Sequence, residues 1–192
     1  MTIRSKWLIG LGIVAASATV SAAPPSAEML SYACAGCHGT NGVSAGPSMP
    51  SLAGQNKEAF VAAMKAFRDG DRPSSIMGRL AKGYTDEQVE TLATFFAKQK
   101  HVPATGQKLD PKLVKSGKAL YSKHCKRCHL EGGKEFEEDQ PVVAGQWLTY
   151  LLIQMDEFKA GNRKMSEKKA EKIDPLKLEE LQAIAHYYAS VK

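Results

Sequence analysis

The sequence predicts an all-α protein built from two tandem copies of one small domain, and three observations carry that prediction. Apolar residues recur at helical spacing, and no alternating run suggests a sheet. The second half repeats the first at an offset of 91 residues. Leu52-Ala53-Gly54-Gln55 maps onto Val143-Ala144-Gly145-Gln146, Pro50 onto Pro141, Met64 onto Met155, Phe67 onto Phe158 and Gly70 onto Gly161. Helix-start chemistry then stands where the periodic runs begin.

The elements follow in order. Residues 1–22 read as an export signal: Arg4 and Lys6, an apolar run from Trp7 to Val20, then small residues, with cleavage after Ala22 or Ala23. That run is too short and too rich in Ala, Gly and Ser to span a bilayer, so the mature chain is expected to be periplasmic without a transmembrane anchor. Residues 23–102 form the first domain, 103–108 the linker with Pro103 and Gly106, and 109–192 the second domain. In the first domain, Phe60, Val61, Met64 and Phe67 mark a helix stopped by Gly70; Thr85 to Gln88 is a capping box ahead of Val89, Leu92, Ala93 and Phe96. In the second, Asp110-Pro111 and Asp174-Pro175 each place a capping carboxylate before a first-turn proline. The middle helix there comes from Leu148, Leu151, Leu152, Met155 and Phe158.

The composition excludes several classes. With 43% hydrophobic and 24% charged residues and only 4 Cys, the chain is neither disordered nor disulfide-dense. The net charge of +6 is spread along the sequence rather than gathered in a basic block, which argues against a nucleic-acid partner. Domains of about 80 residues with three or four short helices have thin cores, so something besides side chains is expected to fill them.

The cysteines say what. They occur as Cys34-Ala-Gly-Cys37-His38 and Cys125-Lys-Arg-Cys128-His129. Two thiols three apart on a helical turn reach the two vinyl groups of a haem, and the adjacent imidazole meets the iron from one face. Zinc would require the two pairs to converge or to find further ligands, and a redox dithiol leaves both histidines unexplained. Two covalently bound haem c groups are therefore expected, held by Cys34 and Cys37, and by Cys125 and Cys128, with His38 and His129 on iron.

Methionine is the expected sixth ligand. In the second domain Met155 sits at core spacing between Leu152 and Phe158, whereas Met165 follows Gly161 in a polar loop that can bring sulfur to the iron. In the first, Met64 is the repeat-mate of Met155, Met49 is too close to His38, and Met29 precedes the motif. Met77 remains, 39 residues after His38, against 36 between His129 and Met165. Histidine offers no better donor: His101 lies where the first domain runs into the linker, and His124 and His186 read as structural. Pro50 and Pro141 are either ordinary turn residues or the source of a carbonyl that orients the proximal imidazole.

These residues resemble the dihaem class I cytochromes c, which include the cytochrome c-four carriers and the cytochrome subunit of flavocytochrome c sulfide dehydrogenase. The second group looks closer, through Ala27-Glu-Met-Leu30, residues 34–40, Ile76-Met-Gly-Arg-Leu-Ala-Lys-Gly-Tyr84, Glu131-Gly-Gly-Lys134 and Ala144-Gly-Gln-Trp147. The resemblance implies two class I cytochrome c domains related by a pseudo-twofold axis, with the haems meeting near the interface. It also implies an FAD-containing sulfide dehydrogenase subunit as electron donor and a soluble cytochrome or oxidase as acceptor. This chain has no dinucleotide fingerprint and no cysteine outside the two motifs, so no catalytic site of its own is expected. The alternative is a free cytochrome c-four-like carrier; a dihaem peroxidase would need an open iron site, against which Met77 and Met165 argue.

Overall fold

The computed structural model describes residues 23–137 and 140–192. The export signal expected over 1–22 lies outside them, as do Glu138 and Asp139. Every regular element among the described residues is helical. The first domain holds α1 (Ala27–His38), α2 (Lys57–Asp69), α3 (Met77–Leu80) and α4 (Asp86–Ala97); the second holds α5 (Pro111–His124), α6 (Leu148–Lys159), α7 (Glu167–Ile173) and α8 (Leu178–Ser190).

Local chemistry sets most helix ends. The Ser26 hydroxyl accepts from Met29 N, and the Asn56 carbonyl oxygen accepts from Glu58 N. Thr85 and Gln88 form the expected reciprocal box, and the Asp110 carboxylate accepts from Lys112 N at 2.7 Å ahead of Pro111. Gly70, left-handed at φ 83°, ends α2. One expectation fails: Asp174-Pro175 does not open the last helix. Asp174 instead closes α7, its N–H donating to Ala170 O and its carbonyl receiving Lys159 Nζ at 2.8 Å. The chain then turns so that Leu176 is buried, and α8 starts at Leu178 with the Glu180 carboxylate accepting from Lys177 N.

Each domain has its own apolar cluster. Phe60, Met64, Val89, Leu92, Ala93 and Phe96 make the first; Tyr121, Leu151, Leu176, Leu181, Ile184 and Tyr188 dominate the second. In the second domain α5 crosses α8 so closely that a Cβ on Gly117 would lie 1.9 Å from Ala183 O. The obstructing atoms, Ala183 O and C and Ile184 N, are all backbone, so the helices must separate. Gly117→Ala is expected to destabilise the second domain by about 1–3 kcal/mol in denaturant unfolding, with the first domain affected only through the loss of its seam partners.

The domains grip one another reciprocally. The Gln146 amide accepts from Ser51 N at 2.9 Å and donates to Ser51 O at 2.8 Å. Gln55 does the same to Val142, at 3.1 and 2.8 Å. Since Gln55 and Gln146 are repeat-mates, as are Ser51 and Val142, this exchange is what a pseudo-twofold axis between the domains produces. Trp147 Nε1 donating to Ser44 O and Tyr150 N donating to Pro47 O extend the seam. The linker is no loose tether: Ala104 N donates to Gly145 O at 2.7 Å, and the Gln107 side chain accepts from Leu148 N. A Cβ on Gly145, at φ 65°, would lie 2.6 Å from the Pro103 side chain, so only glycine lets the strap lie flat.

Candidate haem sites

The two cysteine motifs sit at the ends of equivalent helices in different local forms. Cys34, Cys37 and His38 occupy the last turns of α1. In the second copy α5 ends at His124, Cys125 caps it, and a turn carries Cys128 and His129, whose amides both donate to Cys125 O. Tyr121 secures that turn, donating its hydroxyl to His129 O at 2.8 Å and accepting from Gly132 N at 2.9 Å. None of the four cysteines forms a disulfide; Cys34 and Cys125 are partly buried against the two cores, while Cys37 and Cys128 are exposed. Burial, with the neighbouring cysteine adding to it, raises the Cys34 thiol, and burial likewise raises Cys125, so both are neutral thiols. No group of three or more His, Cys, Asp or Glu among the described residues could hold a metal ion, so the pairs do not converge as zinc would require.

Both histidines present what an iron ligand needs. His38 is buried, and its Nδ1 lies 2.8 Å from Pro50 O, which fixes that nitrogen as the donor and leaves Nε2 with a free lone pair. The carbonyl reading of Pro50 is thus the one realised, because the chain after Gly42 turns back over the ring. His129 is partly buried; its Nδ1 is sequestered and meets no strict hydrogen-bond geometry, although the Pro141 carbonyl is close enough to act on it. Burial lowers both imidazoles, His129 to about 4 with Lys169 adding to the effect, so both are neutral near pH 7. Tyr188 stands edge-on to His129 at a centroid distance of 5.8 Å.

The methionines divide. Met64 is buried in the first core and Met155 is packed against the second. Met77 opens α3, partly buried against the same cluster as Cys34, with its amide held by the Ser74 hydroxyl at 2.9 Å. Met165 lies between α6 and α7, partly buried. His186 is structural: its Nδ1 accepts from Asp110 N.

Sequence reasoning missed an arginine pair. Arg72 and Arg163, repeat-mates, both donate to Gln154 Oε1, Arg72 from across the domain seam and Arg163 from within the second domain. Each lies 4.4 Å above an aromatic ring, Arg72 over Phe67 and Arg163 over Phe158, and those rings are repeat-mates too. Burial first, then Arg72, push Arg163 down to about 10. The 91-residue offset was the signal that could have found them.

Neutral buried imidazoles beside unpaired thiols, on domains with thin cores, fit a covalently attached haem, which supplies a one-electron iron couple. Comparison with known proteins agrees. Residues 27–100 match the cytochrome c family model, and residues 112–187 match that of cytochrome c oxidase, cbb3-type, subunit III. Cytochrome c4 of Pseudomonas aeruginosa is 32% identical over 139 residues, 68% of each chain. The thiosulfate dehydrogenase electron acceptor of Thiomonas intermedia is 30% identical over 158 residues, 78% of this chain and 71% of that one. The cytochrome subunit of sulfide dehydrogenase from Chlorobaculum tepidum is 46% identical over 69 residues, 36% of this chain and 62% of that one. The crystal structure of reduced recombinant cytochrome c4 from Pseudomonas stutzeri superposes with a TM-score of 0.76 at 23% identity, over 86% of this chain and 97% of that one. With two such domains and two haem c groups, the chain belongs to the cytochrome c4-like dihaem class I cytochrome c family.

Proposed function

We propose that this dihaem electron carrier is a periplasmic subunit that takes electrons from a flavoprotein sulfide dehydrogenase through its first domain. In this reading Cys34, Cys37, Cys125 and Cys128 carry the thioether bonds, His38 and Met77 are the axial ligands of the first iron, and His129 and Met165 those of the second. Two adjacent one-electron centres suit a donor that releases two electrons at a time.

The observation that carries the partner is an asymmetry between the repeats. The first domain exposes Met29 (64%) and Tyr32 (72%) on α1, and Ile76 (48%) and Leu80 (49%) on either side of Met77. At the 91-residue offset Met29 and Tyr32 become Leu120 and Lys123, and at the 88-residue offset that aligns Met77 with Met165, Ile76 and Leu80 become Lys164 and Lys168. At three of these four positions one copy thus presents an apolar group where the other presents charge. Such a face suits a stable apolar interface, and residues 23–102 carry a net charge of only +1 against +3 for the rest of the mature chain, which suits a salt-sensitive encounter with an acidic acceptor. The 46% identity to the sulfide dehydrogenase subunit supports the same reading. A second reading, a free carrier or a thiosulfate dehydrogenase acceptor, is favoured by the relatives matched over more of the chain.

The test uses Leu80→Glu and Tyr32→Glu with the purified flavoprotein. Both variants should weaken association at least tenfold and slow haem reduction by sulfide, with haem content unchanged. Wild-type binding and rates in both would favour the free carrier.

A further inference from the structure

The two domains pack an aromatic ring into the same place with different chemistry. At an offset of 92, Phe96 near the end of α4 becomes Tyr188 near the end of α8, and both are buried, at 1% and 2% exposed. The turn against each ring is shaped alike: a Cβ on Gly42 would lie 2.8 Å from Phe96 Cδ1, and one on its repeat-mate Gly133 would lie 3.1 Å from Tyr188 Cε1. Phe96 packs against Phe60 and Phe95, with ring centres 5.6 and 5.2 Å away. The second domain thus adds one hydroxyl at a position that the first fills with carbon.

That hydroxyl is buried and meets no hydrogen-bond partner of good geometry among the described residues. A buried phenol left so is less stable than phenylalanine, so its hydrogen needs an acceptor. The neighbours narrow the choice. Tyr121 has its ring centre 5.7 Å away, but its hydroxyl is engaged with His129 O and Gly132 N, and the Tyr187 hydroxyl lies over Gly132. His129 stands edge-on at 5.8 Å; with Nε2 on iron its Nδ1 carries the proton and cannot accept. Lys169 Nζ, 3.8 Å from the Phe158 ring centre, is a cation. Cys125 is left. It packs against the cluster that contains Tyr188, and hydroxyl and thiol are close enough to act on one another. A free thiol can donate or accept, whereas a sulfur bonded to a haem vinyl carbon has lone pairs and no proton. Attachment turns Cys125 into an acceptor and makes the Tyr188 O–H the donor.

We propose that Tyr188 donates a hydrogen bond to the thioether sulfur of Cys125 and is a positioning residue that distinguishes the attachment of the second haem from that of the first. The donor role rests on covalent haem at Cys125 and not on the identity of the electron donor. The bond fixes the sulfur and with it that edge of the macrocycle. The positive end of the O–H dipole, held in a site of low dielectric, favours the reduced, more negative haem.

The test uses holoprotein containing ring-13C-labelled tyrosine, so that isotope-sensitive bands in redox-induced infrared difference spectra belong to tyrosine. The wild type should show such a band, Tyr188→Phe should lose it, and Tyr187→Phe should keep it. Tyr188→Phe retains the ring and puts phenylalanine where the first domain already has it, so both haems should stay bound. One of the two reduction potentials should fall by about threefold in the reduction equilibrium, or about 28 mV for one electron. Resonance Raman spectra of the wild type, which need no variant, should show a thioether C–S band displaced in D2O. With two haems per chain present, unchanged tyrosine bands and potentials in Tyr188→Phe would overturn the proposal, as would C–S bands indifferent to D2O. Fewer than two haems per wild-type chain would overturn covalent attachment itself, and the proposal with it.

Discussion

Replacing Cys125 and Cys128 together by Ala is expected to leave one haem per chain and to unfold the second domain. Its side-chain core is a single cluster around Tyr121, Leu181, Ile184 and Tyr188, and Cys125 packs directly onto it. In the proposed reading the variant also deprives the partly buried, neutral His129 imidazole of its partner. The loss spreads across the seam. Once Gln146 departs, the Ser51 N–H and carbonyl lose their partners, which costs about 1–3 kcal/mol for each group left buried. The first domain should therefore retain its haem but melt earlier than in the wild type. Haem per chain by mass and absorbance, with thermal unfolding followed at the first haem, checks both parts. A second domain that stays helical without haem would refute the core role assigned to the macrocycle.

The methionine exchange has the next largest effect. Met77→Ala and Met165→Ala should each remove about half of the sulfur-to-ferric-iron charge-transfer absorption and lower one reduction potential, because thioether ligation favours the ferrous state. Met64→Ala and Met155→Ala should leave that band intact and instead cost roughly 2–5 kcal/mol of stability, the larger cost at Met64, which is 7% exposed. Loss of the band in the second pair would mean that core and ligand have been exchanged.

Much of this was legible because the chain is a duplication. The offset of 91 paired the glutamines, the prolines and the phenylalanines, and the capping signals at Thr85 and Asp110 act as read. What escaped has physical causes. α7 is short and buries no residue, so it leaves no apolar period; with that helix unseen, Asp174-Pro175 looked like the start of α8 rather than the end of its predecessor. The docking of the linker rests on Pro103 meeting Gly145 and on Gln107 bridging to Leu148, contacts between residues about 40 positions apart that no local pattern encodes. Gln55 and Gln146 were visible as equivalents, but that each grips the other's domain is a property of the assembled pair. The arginines drew no reading from the sequence, because only the fold brings them to one oxygen.

The central claim, that the first domain serves a flavoprotein donor, meets its most direct test in purification from the native host. At low ionic strength, fractions carrying this chain should show flavin as well as haem absorption, and sulfide should reduce the haems in those fractions. A haem protein that elutes free of flavin and stays oxidised with sulfide would contradict the account.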